Sequence, residues 1–115
     1  MRYYTKEHVW LEPDETTGVL KVGITMRGND ELDGITYVQP VDGILDVESV
    51  KIYREVPLPV TGVQRGEIYA APSNTGWDPE RVLCTFDPGY TLDMSKCMTS
   101  AEYMQYRSET EKELA

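Results

Sequence analysis

The chain alternates apolar and polar positions in short runs, and Gly or Pro breaks these runs every few residues. Val19-Leu20-Lys21-Val22-Gly23-Ile24-Thr25 has the period of two expected of a half-buried strand. The turn-rich Asp14-Glu15-Thr16-Thr17-Gly18 precedes it and pairs it with Val9-Trp10-Leu11 as a hairpin. The polar stretch Arg27 to Leu32 predicts one or two helical turns. Ile35-Thr36-Tyr37-Val38 is the next strand, ending at Gln39-Pro40, and Asp42-Gly43 is a turn. Ile44 to Val50 is a further strand, followed after Lys51 and Ile52 by the extended Tyr53 to Leu58. Pro59 to Val63 turns into another strand, and Glu67-Ile68-Tyr69 and Arg81 to Phe86 continue the sheet. Pro57 and Pro59 lack the N–H that a ladder needs, which places their stretch on an edge or at a bend.

The C-terminal part differs in character. Thr99-Ser100-Ala101-Glu102 fits a capping box, with Thr99 as N-cap and Glu102 reaching back. Helix formers dominate from Tyr103 to Leu114 without Gly or Pro, which predicts a helix packed through Tyr103, Met104 and Tyr106. The sum is a mostly β protein, a sandwich or flattened barrel with a short helical turn and a C-terminal helix. Residues 1–98 form the β domain, with 99–115 as a helix packed on it. There is no internal repeat.

A net charge of −9 argues against nucleic acid as a partner, because a phosphate backbone needs basic patches. It suits docking on basic partner faces, and equally suits simple solubility. No apolar run is long enough to span a bilayer. The opening Met1-Arg2-Tyr3-Tyr4-Thr5 reads as neither a secretory nor an organelle leader, so a cytoplasmic protein is expected, or an organelle protein whose leader has been removed. Cys84 and Cys97 are not spaced as a metal or redox pair. Cys84 falls in a strand, as a small core residue, and Cys97 is the more exposed of the two. His8 is the only histidine and makes a poor metal site. Trp10, Trp77, Tyr3, Tyr4 and Tyr37 read as core or edge packing. Met26, Met94, Met98 and Met104 read as core filling or exposed surface.

No phosphate loop, zinc-protease motif or nucleophile elbow is present, and a catalytic triad cannot be built around one histidine. The plentiful carboxylates mark out no pair. Lys51 is the better candidate, since it lies between two extended runs where a hairpin turn is expected. Such a turn presents a side chain to a modifying enzyme while two strands hold its position. On position alone an ordinary turn lysine is the better reading, because exposed lysines are common.

Several motifs bear on this choice. Glu48-Ser49-Val50-Lys51 resembles the lipoyl-attachment motif of glycine cleavage system H proteins. Pro59-Val60-Thr61-Gly62 is similar to the family's Pro-Val-Ser-Gly, at the same distance from the lysine. Tyr4-Thr5-Lys6-Glu7-His8-Val9-Trp10, Val22-Gly23-Ile24-Thr25 and Leu32-Asp33-Gly34-Ile35-Thr36-Tyr37-Val38 resemble further family segments in order, as does Ala101-Glu102-Tyr103 near the end. The resemblance implies a lipoyl/biotinyl-carrier-like β fold with lipoate covalently bound to Lys51. It implies a non-catalytic carrier that shuttles an aminomethyl group, the chemistry belonging to the cofactor. The implied partners are glycine decarboxylase, aminomethyltransferase, dihydrolipoyl dehydrogenase and a lipoate ligase or transferase. Glu48, Ser49 and Val50 would serve recognition around the attachment point, and Glu7 and Glu55 an arm-holding cleft. Strand-end packing and turn hydrogen bonds are equally natural roles for Glu48 and Ser49.

The chain also departs from that pattern. The family's His-Glu-Trp is His8-Val9-Trp10 here, and a valine cannot accept the hydrogen bonds of a cargo amine. The bridge Gln39-Pro40-Val41-Asp42-Gly43 is terse. Either Thr75-Gly76-Trp77 corresponds to the family's Gly-Trp, or Asp87-Pro88-Gly89-Tyr90 matches its Asp-Pro-Tyr-Gly and the Gly-Trp is lost. H-like carriers also serve other pathways such as sulfur oxidation, and an unmodified interaction module is the remaining alternative. A biotin carrier is disfavoured, because Val50-Lys51-Ile52 is not Met-Lys-Met.

Overall fold

The computed structural model describes residues 1–28, 35–49, 53–66, 69–70 and 81–114, with side chains omitted at 69–70 and 111–114. Its strands are β1 (Tyr3–Tyr4), β2 (Val9–Pro13), β3 (Leu20–Ile24), β4 (Tyr37–Val41), β5 (Ile44–Glu48), β6 (Tyr53–Pro57), β7 (Val60–Thr61), β8 (Gln64–Arg65), β9 (Tyr69–Ala70), β10 (Cys84–Phe86) and β11 (Thr91–Leu92). A 3₁₀ turn (Met94–Lys96) and helix α1 (Ser100–Leu114) follow. Every described pairing is antiparallel. A five-stranded sheet runs β1-β2-β3-β10-β8, a four-stranded sheet runs β6-β5-β4-β9, and β11 pairs with β7.

Alternation builds the core. Val9 and Leu11 of β2 and Leu20, Val22 and Ile24 of β3 face Val38, Leu45, Val47 and Val56 of the other sheet. Phe86 and Cys84 of β10 close the cluster. Each such aliphatic side chain contributes roughly 1.5–3 kcal/mol of burial.

The predicted hairpin of Val9-Leu11 with Leu20-Ile24 is present, with Leu11 opposite Val22. Asp14 makes its turn by accepting the backbone N–H groups of Thr16 and Thr17, which hold its carboxyl below the ordinary 3.8, and Gly18 takes a left-handed φ of 77°.

Two expectations need correction. The strand expected to begin at Ile35 and end at Gln39-Pro40 begins at Tyr37 and runs through Pro40 to Val41. Leu58 N–H donates to Gly43 C=O, which fixes the alternation of bonded and non-bonded pairs along β5 and so places the Pro40 nitrogen facing away from β5. Among the described residues β9 pairs with Tyr37 and Val38 on that side, and the proline takes no bond from the β5 ladder. Met104 was expected in the helix contact and is 67% exposed, whereas Tyr103 is 4% exposed, because one residue's rotation carries position 104 off the packed face. Short strands β1, β7, β8 and β11 had no periodic signal of their own. Of the expected helical turn at Arg27–Leu32, residues 26–28 are helical and 29–32 lie outside the described residues. Trp77, Thr75 and Gly76 are outside them as well.

Candidate functional site: the β5–β6 hairpin and its neighbouring cleft

Strands β5 and β6 are in register from Ile44 opposite Pro57 to Glu48 opposite Tyr53. Residues 49–52 therefore connect a pair of strands fixed at both ends. Lys51 and Val50 lie outside the described residues, so their flanks define the site. Leu45, Val47 and Val56 point into the core and hold both strands down. The alternate positions Asp46, Glu48, Tyr53 and Glu55 share the outer face. Glu48 is exposed, and its carbonyl accepts both the N–H and the hydroxyl of Thr36, at 2.9 and 3.0 Å. Ser49 is half-buried.

Asp46 stands directly opposite Glu55. Like charges at that spacing repel. The Tyr53 hydroxyl lies 3.4 Å from Glu55 Oε1. The phenol is held above its ordinary value of 10.0, first by desolvation, then by the hydrogen bond and charge of Asp46 and by Glu55.

Beyond the far end of β6 lies a cleft of about 300 Å³. Its walls are Thr5, Lys6 and Glu7 on one side, Pro57, Leu58 and Pro59 on another, and Ser95 to Met98 on the third. Leu58 and Pro59 are buried and give it an apolar floor. Backbone bonds set these walls: Asp93 N–H donates to Pro59 C=O at 2.8 Å, and Tyr4 and Met98 exchange N–H···O bonds of 2.8 and 2.7 Å. Cys97 Sγ donates to the Asp93 carbonyl at 3.4 Å, and desolvation with the Asp93 charge raises its thiol above the usual 9.0.

The first wall is anchored by a buried polar cluster. His8 takes a left-handed φ of 67° and is 6% exposed. Its Nδ1 lies 2.8 Å from the Tyr103 hydroxyl, which lies 2.9 Å from Thr25 Oγ1. Thr25 donates both its N–H and its hydroxyl to the His8 carbonyl, each at 3.0 Å. Tyr4 stacks on Tyr103 with centroids 4.7 Å apart. The capping box at Thr99 and Glu102 has both bonds, 3.0 and 3.2 Å, and starts α1 so that Tyr103 enters this cluster. His8 is a packing residue here.

Of the residues singled out in the sequence, Glu7 lines the cleft and Glu55 and Glu48 lie on the hairpin's outer face. Val9 points into the core at 1% exposure, away from the cleft. Sequence reasoning missed Lys6, Pro59, Lys96 and Cys97 as cleft residues. The similarity of residues 4–10 to a family segment marked one wall, but nothing in the pattern brings Ser95–Met98 to it. A larger hollow of about 440 Å³ lies on β8 and β10, at the opposite edge of the five-stranded sheet from β1. Its thiol, Cys84, is pushed by burial up to about 11 and is inert at neutral pH. Among the described residues no three His, Cys, Asp or Glu are grouped to hold a metal, and no helix is long and apolar enough to cross a membrane.

Fold and site together define a small antiparallel β protein with a hairpin connection at one end of β5–β6 and a shaped cleft beyond the other end of β6. No family model matches the chain. It is similar to glycine cleavage system H protein 4 of Aquifex aeolicus, 33% identical over 97% of this chain and 74% of the relative. It is also similar to a probable glycine cleavage system H protein of Pyrococcus furiosus, 35% identical over 90% of this chain and 87% of that protein. The chain belongs to the glycine cleavage system H protein family.

Proposed function

We propose that this protein is the lipoylated carrier of a glycine cleavage system, with lipoate bound covalently to Lys51, and that it moves an aminomethyl group between enzymes without catalysing a step itself. The observation that carries this reading is the register of β5 and β6, which fixes both ends of the connection holding Lys51. A lipoyl group supplies a dithiol–disulfide couple that accepts a one-carbon amine and is afterwards reoxidised. The chain's own residues present and hold. Leu45, Val47 and Val56 anchor the hairpin in the core. Glu55 is four residues past Lys51, within about 14 Å along the chain. Its carboxylate, on the hairpin's outer face, would attract a cationic amine there, and Glu7 would do so at the cleft. The apolar floor of Leu58 and Pro59 excludes water from whatever rests there. Such residues fit a long, partly apolar arm. The partners under this reading are glycine decarboxylase, aminomethyltransferase, dihydrolipoyl dehydrogenase and the lipoate ligase or transferase, with Glu48, Ser49 and Val50 in recognition.

A second reading is favoured by the cleft's charge. Lys6 and Lys96 line it with Glu7, and position 9 supplies no carboxylate. That balance suits a neutral or anionic cargo, and hence a carrier for another pathway such as sulfur oxidation.

Intact-mass spectrometry after co-expression with a lipoate ligase, with peptide mapping, tests the common premise. One lipoyl increment on Lys51, absent from Lys51→Ala, is expected. An unmodified chain, under conditions that lipoylate a control H protein, overturns both readings in favour of an unmodified interaction module. Glycine decarboxylation supported by the fully lipoylated protein selects the first reading, and failure to support it selects the second.

A further inference from the structure

Strand β6 is an outer strand of its sheet, with β5 on one side and no described strand on the other. The direction of its free backbone groups follows from one bond. Leu58 N–H donates to Gly43 C=O at 2.8 Å, so Ile44 and Pro57 form a non-hydrogen-bonded pair. Alternation then assigns bonds to β5 at Val56 and Arg54, and none at Glu55 and Tyr53. The N–H and C=O groups of Tyr53 and Glu55 point out along the free edge, where both residues are exposed. Pro57 has no N–H and ends this run.

Charge selects what can pair there. The side chains beside the edge on the outer face are Tyr53 and Glu55, with the carboxylates of Asp46 and Glu48 one strand further in on β5. A second copy of β6 would bring a second set of these carboxylates alongside, which disfavours self-pairing. An incoming strand with Lys or Arg at alternate positions would neutralise them. The edge also begins two residues after Lys51, so whatever pairs with it is held beside that lysine.

We propose that the free edge of β6 is the docking edge for the enzyme that acylates Lys51, which adds an extended, basic strand alongside Tyr53 and Glu55 by backbone pairing. This rests on the reading of Lys51 as a modified lysine, and deepens it by naming how that enzyme is positioned. The backbone bonds set register, and the basic side chains meet Glu55, with the Asp46 and Glu48 charges one strand further in adding to the attraction.

The test is amide hydrogen exchange of Lys51→Ala, with and without saturating lipoate ligase, beside intact-mass measurement of the unsubstituted chain. Tyr53 and Glu55 amides should exchange freely alone and slow at least tenfold with the ligase. Glu55→Pro removes only an outward N–H along with the charge, and Glu55→Gln removes the charge alone. If both variants keep the fold by circular dichroism, Glu55→Pro should raise the KM for the carrier about tenfold over Glu55→Gln, with kcat little changed. Lipoylation of Lys51 with both amides still exchanging freely overturns the docking edge and leaves the carrier reading standing. Absence of lipoylation and of protection overturns both. Protection of the same amides by self-association, without ligase, makes a second copy the occupant and also overturns the proposal.

Discussion

The two sheets use their faces differently. In the five-stranded sheet, β2 buries Val9, Trp10 and Leu11 in succession, so both of its faces are covered. Val9 and Leu11 fill the core, while Trp10, on the other side, is 2% exposed beneath the Arg2 guanidinium 4.0 Å from its ring. The indole lies against Gly23, where a Cβ would stand 2.2 Å from ring carbons. In the four-stranded sheet, β5 buries Leu45 and Val47 at 1% each and leaves Glu48 in water, and β6 exposes Tyr53 and Glu55 around buried Val56. A strand covered on both faces, as β2 is over Val9–Leu11, has little freedom to change. A sheet covered on one face keeps its register through the buried positions and leaves the other face free for charge, modification and partners.

The largest test of this contrast is Trp10→Ala against Glu55→Gln. Losing the indole should cost about 3–5 kcal/mol, with Gly23→Ala costing about 1–3 kcal/mol by displacing the same ring. Glu55→Gln, which only relieves the repulsion from Asp46, should move stability by no more than about 1 kcal/mol, toward greater stability. Urea unfolding followed by tryptophan-independent circular dichroism measures all three. Comparable losses at Trp10 and Glu55 would abolish the distinction between the sheets.

Tyr103→Phe sharpens it further, because the Tyr103 hydroxyl shared by His8 and Thr25 is a buried link between the helix and the five-stranded sheet. Removing that hydroxyl leaves buried polar groups short of a partner and should cost about 1–3 kcal/mol. Proteolysis and exchange should report fraying of α1 with the wall at Thr5–Glu7, while the β5–β6 ladder stays protected. A variant as stable as the parent would mean that stacking on Tyr4, and not the hydroxyl network, holds the helix.

Legibility in the sequence cut across the two sheets. Elements whose burial alternates or whose ends carry side-chain caps could be read directly: the β2–β3 hairpin with its Asp14 turn, the β5–β6 pair, and the capping box at Thr99. Pro40 misled, because its effect depends on which side of β4 its nitrogen faces, and that is set by the partner strands. Met104 misled because apolar character alone does not choose a face on a helix that packs through a narrow strip around Tyr103. Glu48, Glu55 and Glu7 were all marked by the family resemblance; Glu7 lines the cleft, whereas Glu48 and Glu55 lie on the hairpin's outer face and Glu55 is not among the cleft-lining residues. The third wall, Ser95–Met98, is brought to β1 by the bridge between Tyr4 and Met98, a contact between residues far apart in the chain.

The smallest effect bears on the open face alone. Asp46 faces Glu55 across the β5–β6 pair, and both lean on Tyr53. Replacing Asp46 by Asn keeps a hydrogen-bonding side chain of similar size and removes the repulsion, so it should stabilise the protein by roughly 0.2–1 kcal/mol near neutral pH. The Tyr53 phenol should also titrate lower, toward 10.0, since the Asp46 charge contributes to its rise while desolvation remains. A raised folded-state value favours the neutral phenol, so Tyr53's contribution is complete below 10.0 and fades as pH climbs through the folded value. The mutant should lose part of that alkaline contribution and keep its gain at pH 7. Ultraviolet titration of the phenol and unfolding at pH 7 measure the two effects separately. A loss of stability at pH 7 would mean that the Tyr53–Asp46 hydrogen bond outweighs the repulsion, and that the exposed face of the four-stranded sheet is tied together more tightly than its charges suggest.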